Sequence, residues 1–462
     1  MPIYIRVIAV LGILCLYFHT AHLNNLNCHI IEIFLDAESF QLCGNNDNIK
    51  IQEKKTSNEN ITYILYDVNP VEGFNLRRDC FIRLAVFVKK LKNEPGYENT
   101  KLVLPPFSDL YHWRSRHLDQ SHIFWNTFFN LESMKRYTDV LDMWEFFNEI
   151  QSIHRGLKNL NSITIDEVYK LKHFQEMFKN GVFEDKFEKT RCGMAEGGAQ
   201  DGFFHYRNIT SKRFTCVNFQ GSANLLKDLL EKFKPKNTGN PRIILFLNAE
   251  VVLHDFWGND EFWRARRSMR FNDNLVEKAN EFRIENFNST DVLDAVQRPH
   301  RWEDEREYRN AIGGDYLCAH LRRADFLYGR ERTTPTLRSA SIQIKRITKM
   351  LGIDQVFLSS DCSRSELMDL LSFMKRLRVY KYLPPTTGDG SNALKDGEIA
   401  IIDQIICSNA RYFIGTYEST FTYRIYEERE ILGFHPRTTF NTFCKNDDLT
   451  ECEKNSQWPI VY

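Results

Sequence analysis

The stretch "ITYILYDVNPVEGFNLRRDCF", residues 61–81, changes its apolar period once, and that change sets the fold class. Its first half, "ITYILYDV", is short and rich in β-branched and aromatic residues, which suits a buried strand closed by Asn69-Pro70. From Asn75 onward Leu76, Cys80, Leu84 and Val88, with Phe81 and Ala85 beside them, recur at helical spacing. Glu72-Gly73-Phe74 is therefore a strand-to-helix turn. In an α/β sheet such a turn opens at the carboxyl edge of the strands, and the helix start offers free N–H groups to an anion. The one carboxylate at this joint, Glu72, has two readings. It complements the positive end of the helix, the commoner use of an acid there, or it accepts a proton beside an anion site.

The same alternation continues outward. "TKLVLPPF" reads as a strand, residues 145–189 as helical and charged, "RIILFLNAEVVL" as a strand and "DEFWRARRSMRFNDNLVEKANEFRIENF" as one long amphipathic helix. After "RPHRWEDEREYRNA" a second series begins: strand "DYLCAHLRR", helix "TLRSASIQIKRITKMLG", strand "QVFLSSD", helix "RSELMDLLSFMKR", strand "VYKY", helix "GEIAIIDQIICSNA", strand "RYFIGT" and helix "TFTYRIYEERE". Such a series predicts a parallel sheet covered on both faces. The expected architecture is α/β, with two facing Rossmann-like domains and a cleft between their carboxyl edges. The expected boundaries are 59–300 for the first domain, which carries Glu72, and 301–462 for the second and its tail.

Residues 1–23, with Arg6 before a short apolar run, read as a secretory signal peptide, and the Asn-rich 24–58 as a polar arm. No later run is long and apolar enough to span a membrane. The 61 basic and 61 acidic residues balance, so nothing suggests a nucleic-acid footprint. Asn60, Asn208 and Asn288 head glycosylation sequons. Among the 11 cysteines, Cys192 with Cys216 and Cys444 with Cys452 are local pairs in polar surroundings, and Cys28 with Cys43 would close a third loop. Cys80, Cys318, Cys362 and Cys407 lie in or beside apolar runs and read as buried free thiols.

Two further clusters bear chemistry. In "HLRRADF", strand alternation puts His320 and Arg322 on one face, where a guanidinium suits a diphosphate; the plainer reading is an Arg323–Asp325 surface pair with His320 in the core. In "FIGTYESTFTYR", Ser419 and Thr420 open a helix, as caps or as donors to an anion, and Phe421 suits a base or sugar. Asp403 is either an acceptor for a purine edge or a buried capping acid. The chain has no P-loop, His-Glu-x-x-His, Gly-x-Ser-x-Gly or Asp-x-Asp sequence, so a bound diphosphate would be neutralised by arginine and helix termini. No metal site and no cofactor are expected.

Together "NPVEGFNLRRD", "LVLPPFSDLYHW", "HLRRADF" and "AIIDQIICSNARYFIGTYESTFTYRIYEEREILG" resemble the GDP-fucose protein O-fucosyltransferases, in particular those acting on thrombospondin type 1 repeats. The resemblance runs from about Asn60 to the C-terminus. It implies a GT-B fold, an endoplasmic reticulum location, no essential metal, and inverting transfer of fucose from GDP-fucose to a Ser or Thr hydroxyl of a folded repeat. It implies that Glu72 is the base and that Arg322 stabilises the leaving phosphate. Val71, Gly73, Phe74, Asn75, His320, Leu321, Arg322, Asp403, Ser419, Thr420 and Phe421 would contact the donor. It also implies disulfides Cys192–Cys216 and Cys444–Cys452. Val71 stands where relatives have proline, and the Gly-rich stretch near Gly193 and the Tyr417-Glu418 pair also depart from the family pattern. The rival expectations are the same reaction on EGF-like repeats or another acceptor, and a repeat-binding quality-control protein without chemistry. A glycoside hydrolase would need a second carboxylate, and none is evident.

Overall fold

Every residue of Thr62–Tyr66 (β1) is buried, which a strand achieves only when both faces of its sheet are covered. In the computed structural model β1 is central to a seven-stranded sheet with Thr100–Leu104 (β2), Val140–Asp142 (β3), Glu167–His173 (β4), Lys186–Thr190 (β5), Phe214–Gln220 (β6) and Arg242–Leu247 (β7). The order is β3-β2-β1-β7-β4-β6-β5, parallel except for β6 with β5. A second, wholly parallel sheet contains Gly314–Leu321 (β8), Gln355–Ser360 (β9), Arg378–Tyr380 (β10), Ala410–Gly415 (β11) and Asn441–Thr442 (β12), in the order β10-β9-β8-β11-β12, with the helices Leu337–Leu351 (α4) and Arg364–Phe373 (α5) packed on it. In each sheet the order reverses beside the first strand, β1 or β8, and such switch points open a crevice at the carboxyl edge.

The described residues are 61–153, 162–176, 184–192, 202–230, 240–253, 258–384, 393–446, 452 and 456–462, with the backbone of three short strands nearer the N-terminus. The chain divides into two compact units, Met1–Asn58 and Glu59–Tyr462, and both large sheets belong to the second. In the first unit Cys28–Ile30, Gln41–Cys43 and Lys50–Gln52 form an antiparallel sheet with Cys28 opposite Cys43. The side chains of that pair, the signal-peptide stretch, Asn60 and the Gly193 stretch lie outside the described residues. Asn208 and Asn288 are exposed. Among the described residues no helix is long and apolar enough to cross a membrane.

Three expectations are corrected. Among the described residues the helical reading of 145–189 holds only within Met143–Ile153; β4 and β5 follow. The charges of β4 suggested a solvated helix, but Glu167 is buried, accepting from Arg213 Nε (2.6 Å) and Thr215 Oγ1 (2.9 Å). The long helix of 260–287 is two, Asp260–Ser268 (α2) and Asp273–Phe287 (α3). Between them the backbone bonds to another segment, Asn130 N to Arg270 O and Asn272 N to Phe128 O, both 2.9 Å, and Asn272 caps α3. Cys318 and Cys407 are not free thiols but a disulfide with Cα atoms 5.0 Å apart, linking β8 to the helix Asp396–Ser408 (α6). Apolar neighbours made them resemble core thiols, and only the packing of α6 on β8 brings together residues 89 apart. Cys192–Cys216 and Cys444–Cys452 are disulfides, and Cys80 and Cys362 are free.

The two sheets are joined by helices meeting through buried charge. Phe74–Leu91 (α1) offers Asp79 to Arg424 of Thr420–Ile431 (α7) at 2.6 Å, and Arg266 of α2 reaches Glu427 (2.8 Å) and Glu428 (3.0 Å) of α7. Arg78 donates to Gln404 of α6 (2.7 Å) and lies over the rings of Phe129 and Phe271. Arg424 Nη2 also lies 2.9 Å from Glu427, so Arg424 and Arg266 are each held by two carboxylates, and leaving such a buried charge without any partner would cost ~3–5 kcal/mol. The network therefore fixes one relative placement of the carboxyl edges.

Candidate active site

The carboxyl edges enclose a cleft of about 870 Å³. From the first sheet it receives Val71, Glu72, Gly73, Phe74 and Asn75. The turn has little freedom, because buried Arg77 clamps it from beneath: Nη2 donates to Val68 O and Asn69 O and Nε to Glu72 O, each at 3.3 Å. Gly73 is the N-cap of α1 in an extended conformation and makes no side-chain cap. Glu72 therefore does not cap the helix, and no described group donates a hydrogen bond to its carboxylate. Partial burial raises its pKa above the ordinary value, and the charge of Arg77 opposes the shift only in part. A half-buried, unbonded carboxylate of raised basicity is suited to accept a proton. Asn75 is held by Gln404 Nε2 (2.9 Å), so this turn is tied to α6.

The second sheet supplies the polar wall. Thr422 Oγ1 donates to Thr416 O (3.0 Å) and lies 2.9 Å from His320 Nδ1, so Nδ1 carries the proton and Nε2 is a bare acceptor. Burial drives the His320 pKa down to about 3, and its ring stacks on Phe421 with centroids 4.4 Å apart. Arg322 follows on the same face. Its Nη1 donates to Asp361 (2.6 Å), and Asp325 lies 2.6 Å from Nη2 at an angle that leaves Oδ1 without a hydrogen bond. The plainer sequence reading paired Arg323 with Asp325; instead Arg323 bonds Glu366 (2.8 Å), and Asp325 sits beside Arg322.

Ser419 is the N-cap of α7, yet its hydroxyl makes no cap bond, so both it and the first N–H groups of the helix are free for an anion. Asp403 projects from α6, accepting from Ser359 Oγ (2.7 Å) with Oδ2 and leaving Oδ1 buried without a partner. Burial raises its pKa to about 6. An orphaned acceptor on a ligand cleft fits a group with paired N–H donors, such as a guanine edge. Of the residues expected at the donor, Leu321 alone is absent from the lining; its side chain packs in the core behind β8.

The sequence matches the family described as GDP-fucose protein O-fucosyltransferase over residues 63–432. The chain belongs to that family. A GDP-fucose protein O-fucosyltransferase 2 of Drosophila melanogaster is 47% identical over 408 residues, covering 87% of this chain and 82% of that protein. Proteins of the same name from Caenorhabditis elegans and Homo sapiens are each 38% identical, covering 87% of this chain and 90% of theirs. The crystal structure of POFUT1 in complex with GDP-fucose aligns with a TM-score of 0.51 at 16% identity, over 84% of this chain and 99% of that one, a likeness of fold and of the GT-B type. The apo form of POFUT1 gives 0.50 at 16% identity, over 85% of this chain and 99% of that one.

In this fucosyltransferase the sequence reading missed one loop. Tyr111, His112, Trp113, Arg114 and Ser115 also line the cleft. Asp396, in the first turn of α6, anchors the loop by accepting from Ser115 N (2.9 Å), Ser115 Oγ (2.6 Å) and Arg114 N. Trp113 packs in an aromatic cluster with Phe74, Phe107 and Phe128. The sequence signal was the resemblance motif "LVLPPFSDLYHW", which ends in Tyr111, His112 and Trp113 but was given no site residue.

Proposed function

We propose that this enzyme transfers fucose from GDP-fucose, with inversion, to a Ser or Thr hydroxyl of folded thrombospondin type 1 repeats in the lumen of the endoplasmic reticulum. Glu72 takes the proton of the acceptor hydroxyl. The oxygen bonds to the anomeric carbon of fucose as the bond to the β-phosphate oxygen breaks, and its electron pair leaves with GDP. Arg322 and the start of α7 receive the developing phosphate charge without a metal, the guanine sits against Asp403, and Phe421 and His320 Nε2 face the sugar moieties. The observation that carries this reading is the separation of roles: an unbonded, basic carboxylate on one sheet edge and a diphosphate-type arginine on the other, lining one cleft. The acceptor class is the one the sequence resemblance implies, and relatives named GDP-fucose protein O-fucosyltransferase 2 at 38–47% identity support a protein as the acceptor. Three disulfides suit an oxidising compartment.

The test is transfer of labelled fucose in the presence of a chelator to a folded thrombospondin repeat, an EGF-like repeat and a reduced repeat. Labelling of the folded thrombospondin repeat alone is expected. Labelling of the EGF-like repeat instead would overturn the acceptor class. GDP-fucose binding without labelling of any acceptor would favour a repeat-binding role.

A further inference from the structure

We propose that His112 is a positioning residue that holds Arg322 through its Nδ1 edge and so aims the guanidinium at the leaving phosphate. The proposal rests on the leaving-group role given to Arg322 above. Arg322 Nη2 lies 3.0 Å from His112 Nδ1 and 3.5 Å from its Nε2, although the residues are 210 apart in sequence and follow strands of different sheets. A guanidinium only donates, so the nearer nitrogen, Nδ1, is taken as the acceptor, with the ring proton on Nε2. Burial and the Arg322 charge push the His112 pKa below its usual value, against the opposing pull of Asp325 and Asp361, so the imidazole is neutral at pH 7 and does not repel the arginine.

The Cδ2–Nε2 edge of the ring faces the turn that bears Glu72. A Cβ placed on Gly73 would come within 2.9 Å of His112 Cδ2 and 3.2 Å of Nε2. The backbone at Gly73 is extended and open to any residue, so it is this ring that restricts the position to glycine. His112 thus touches the base-bearing turn and the arginine together. Its own placement is secured by Trp113 in the aromatic cluster and by the Asp396 anchor two residues further on. A side chain so fixed takes up part of the freedom of a long arginine, and misplacement of such a group by an ångström costs on the order of 100-fold in rate.

The experiment compares His112→Ala, His112→Asn and His112→Gln, together with His112→Ala in an Arg322→Lys background, measuring kcat, acceptor KM and GDP affinity. His112→Ala should lower kcat by about 10–100-fold while GDP affinity changes by less than about 3-fold. Asn, whose amide oxygen can occupy the Nδ1 position, should restore more activity than Gln, whose amide reaches the Nε2 position. In the Arg322→Lys background the alanine change should cost less than about 2-fold, because the group being aimed is already lost. Equal losses in both backgrounds would overturn the proposal, as would Asn no better than Gln, and this second comparison stands even if His112→Ala does not fold. An Arg322→Lys enzyme with the wild-type kcat would instead sink the leaving-group role.

Discussion

Replacing Asp403 by Asn should move stability and nucleotide affinity in opposite directions. Asp403 is buried, with one oxygen bonded to Ser359 and the other unpartnered. Its pKa rises from 3.8 to about 6, about two units, which at ~1.4 kcal/mol each is ~3 kcal/mol against the ionised form in the empty cleft. The native state therefore holds this proton more tightly than the unfolded chain. The stabilisation is complete below pH 3.8 and is lost as pH rises through about 6. Asn keeps an acceptor for Ser359 and carries no charge, so the variant should escape that loss. Thermal melts of the empty enzymes should coincide near pH 4 and separate by pH 7, with the Asp403→Asn variant the more stable. Against this, the charged acceptor for the guanine edge is gone, and a hydrogen bond to a charged group is worth ~1.5–3 kcal/mol, or roughly 10–150-fold in GDP affinity. Wild-type GDP affinity should likewise fall as the pH drops below about 6, whereas the variant's should not follow it. Calorimetric titration of both proteins from pH 5 to 8 reads both effects. Unchanged GDP affinity in the variant would refute the contact, and a variant less stable at pH 7 would refute the assignment of Asp403 as a strained, ligand-ready acid.

Glu72→Gln should bind GDP normally while transfer falls by ~10²–10⁴-fold, and the wild-type rate should rise with pH through a value above the ordinary glutamate pKa, since only the ionised form accepts a proton; pH–rate profiles decide both points. Ser419→Ala should weaken GDP binding by about 10-fold in calorimetry with an unchanged melting temperature, because its hydroxyl caps nothing. Ser363→Ala, which opens the capping box of Arg364–Phe373, should cost ~1 kcal/mol in denaturant unfolding and leave GDP binding intact. Asp79→Ala should destabilise the enzyme by ~1.5–3 kcal/mol, because Arg424 loses the carboxylate that accepts from Nη1 while Glu427 stays 2.9 Å from Nη2, measured by the same unfolding method.

What the sequence determined by itself is what lies within one period of the chain. The strand and helix around Glu72 and the later β/α units could be read because each element shows its apolar spacing locally and each ligand-facing turn follows directly from its strand. The same locality placed His320 and Arg322 on one face and Ser419 at a helix start. Tertiary structure decided whatever depends on a partner far along the chain. Glu167 in β4 looked solvated until Arg213 and Thr215 were beside it, and the helix of 260–287 looked continuous until a loop took its backbone hydrogen bonds at residues 270–272. Cys318 and Cys407 looked like core thiols until α6 packed against β8. His112 stood inside a resemblance motif but without a role, because its significance lies in two neighbours, Gly73 and Arg322, which no local spacing can bring together. Local periodicity follows from backbone geometry, whereas the cleft follows from which buried charges can be paired across two sheets.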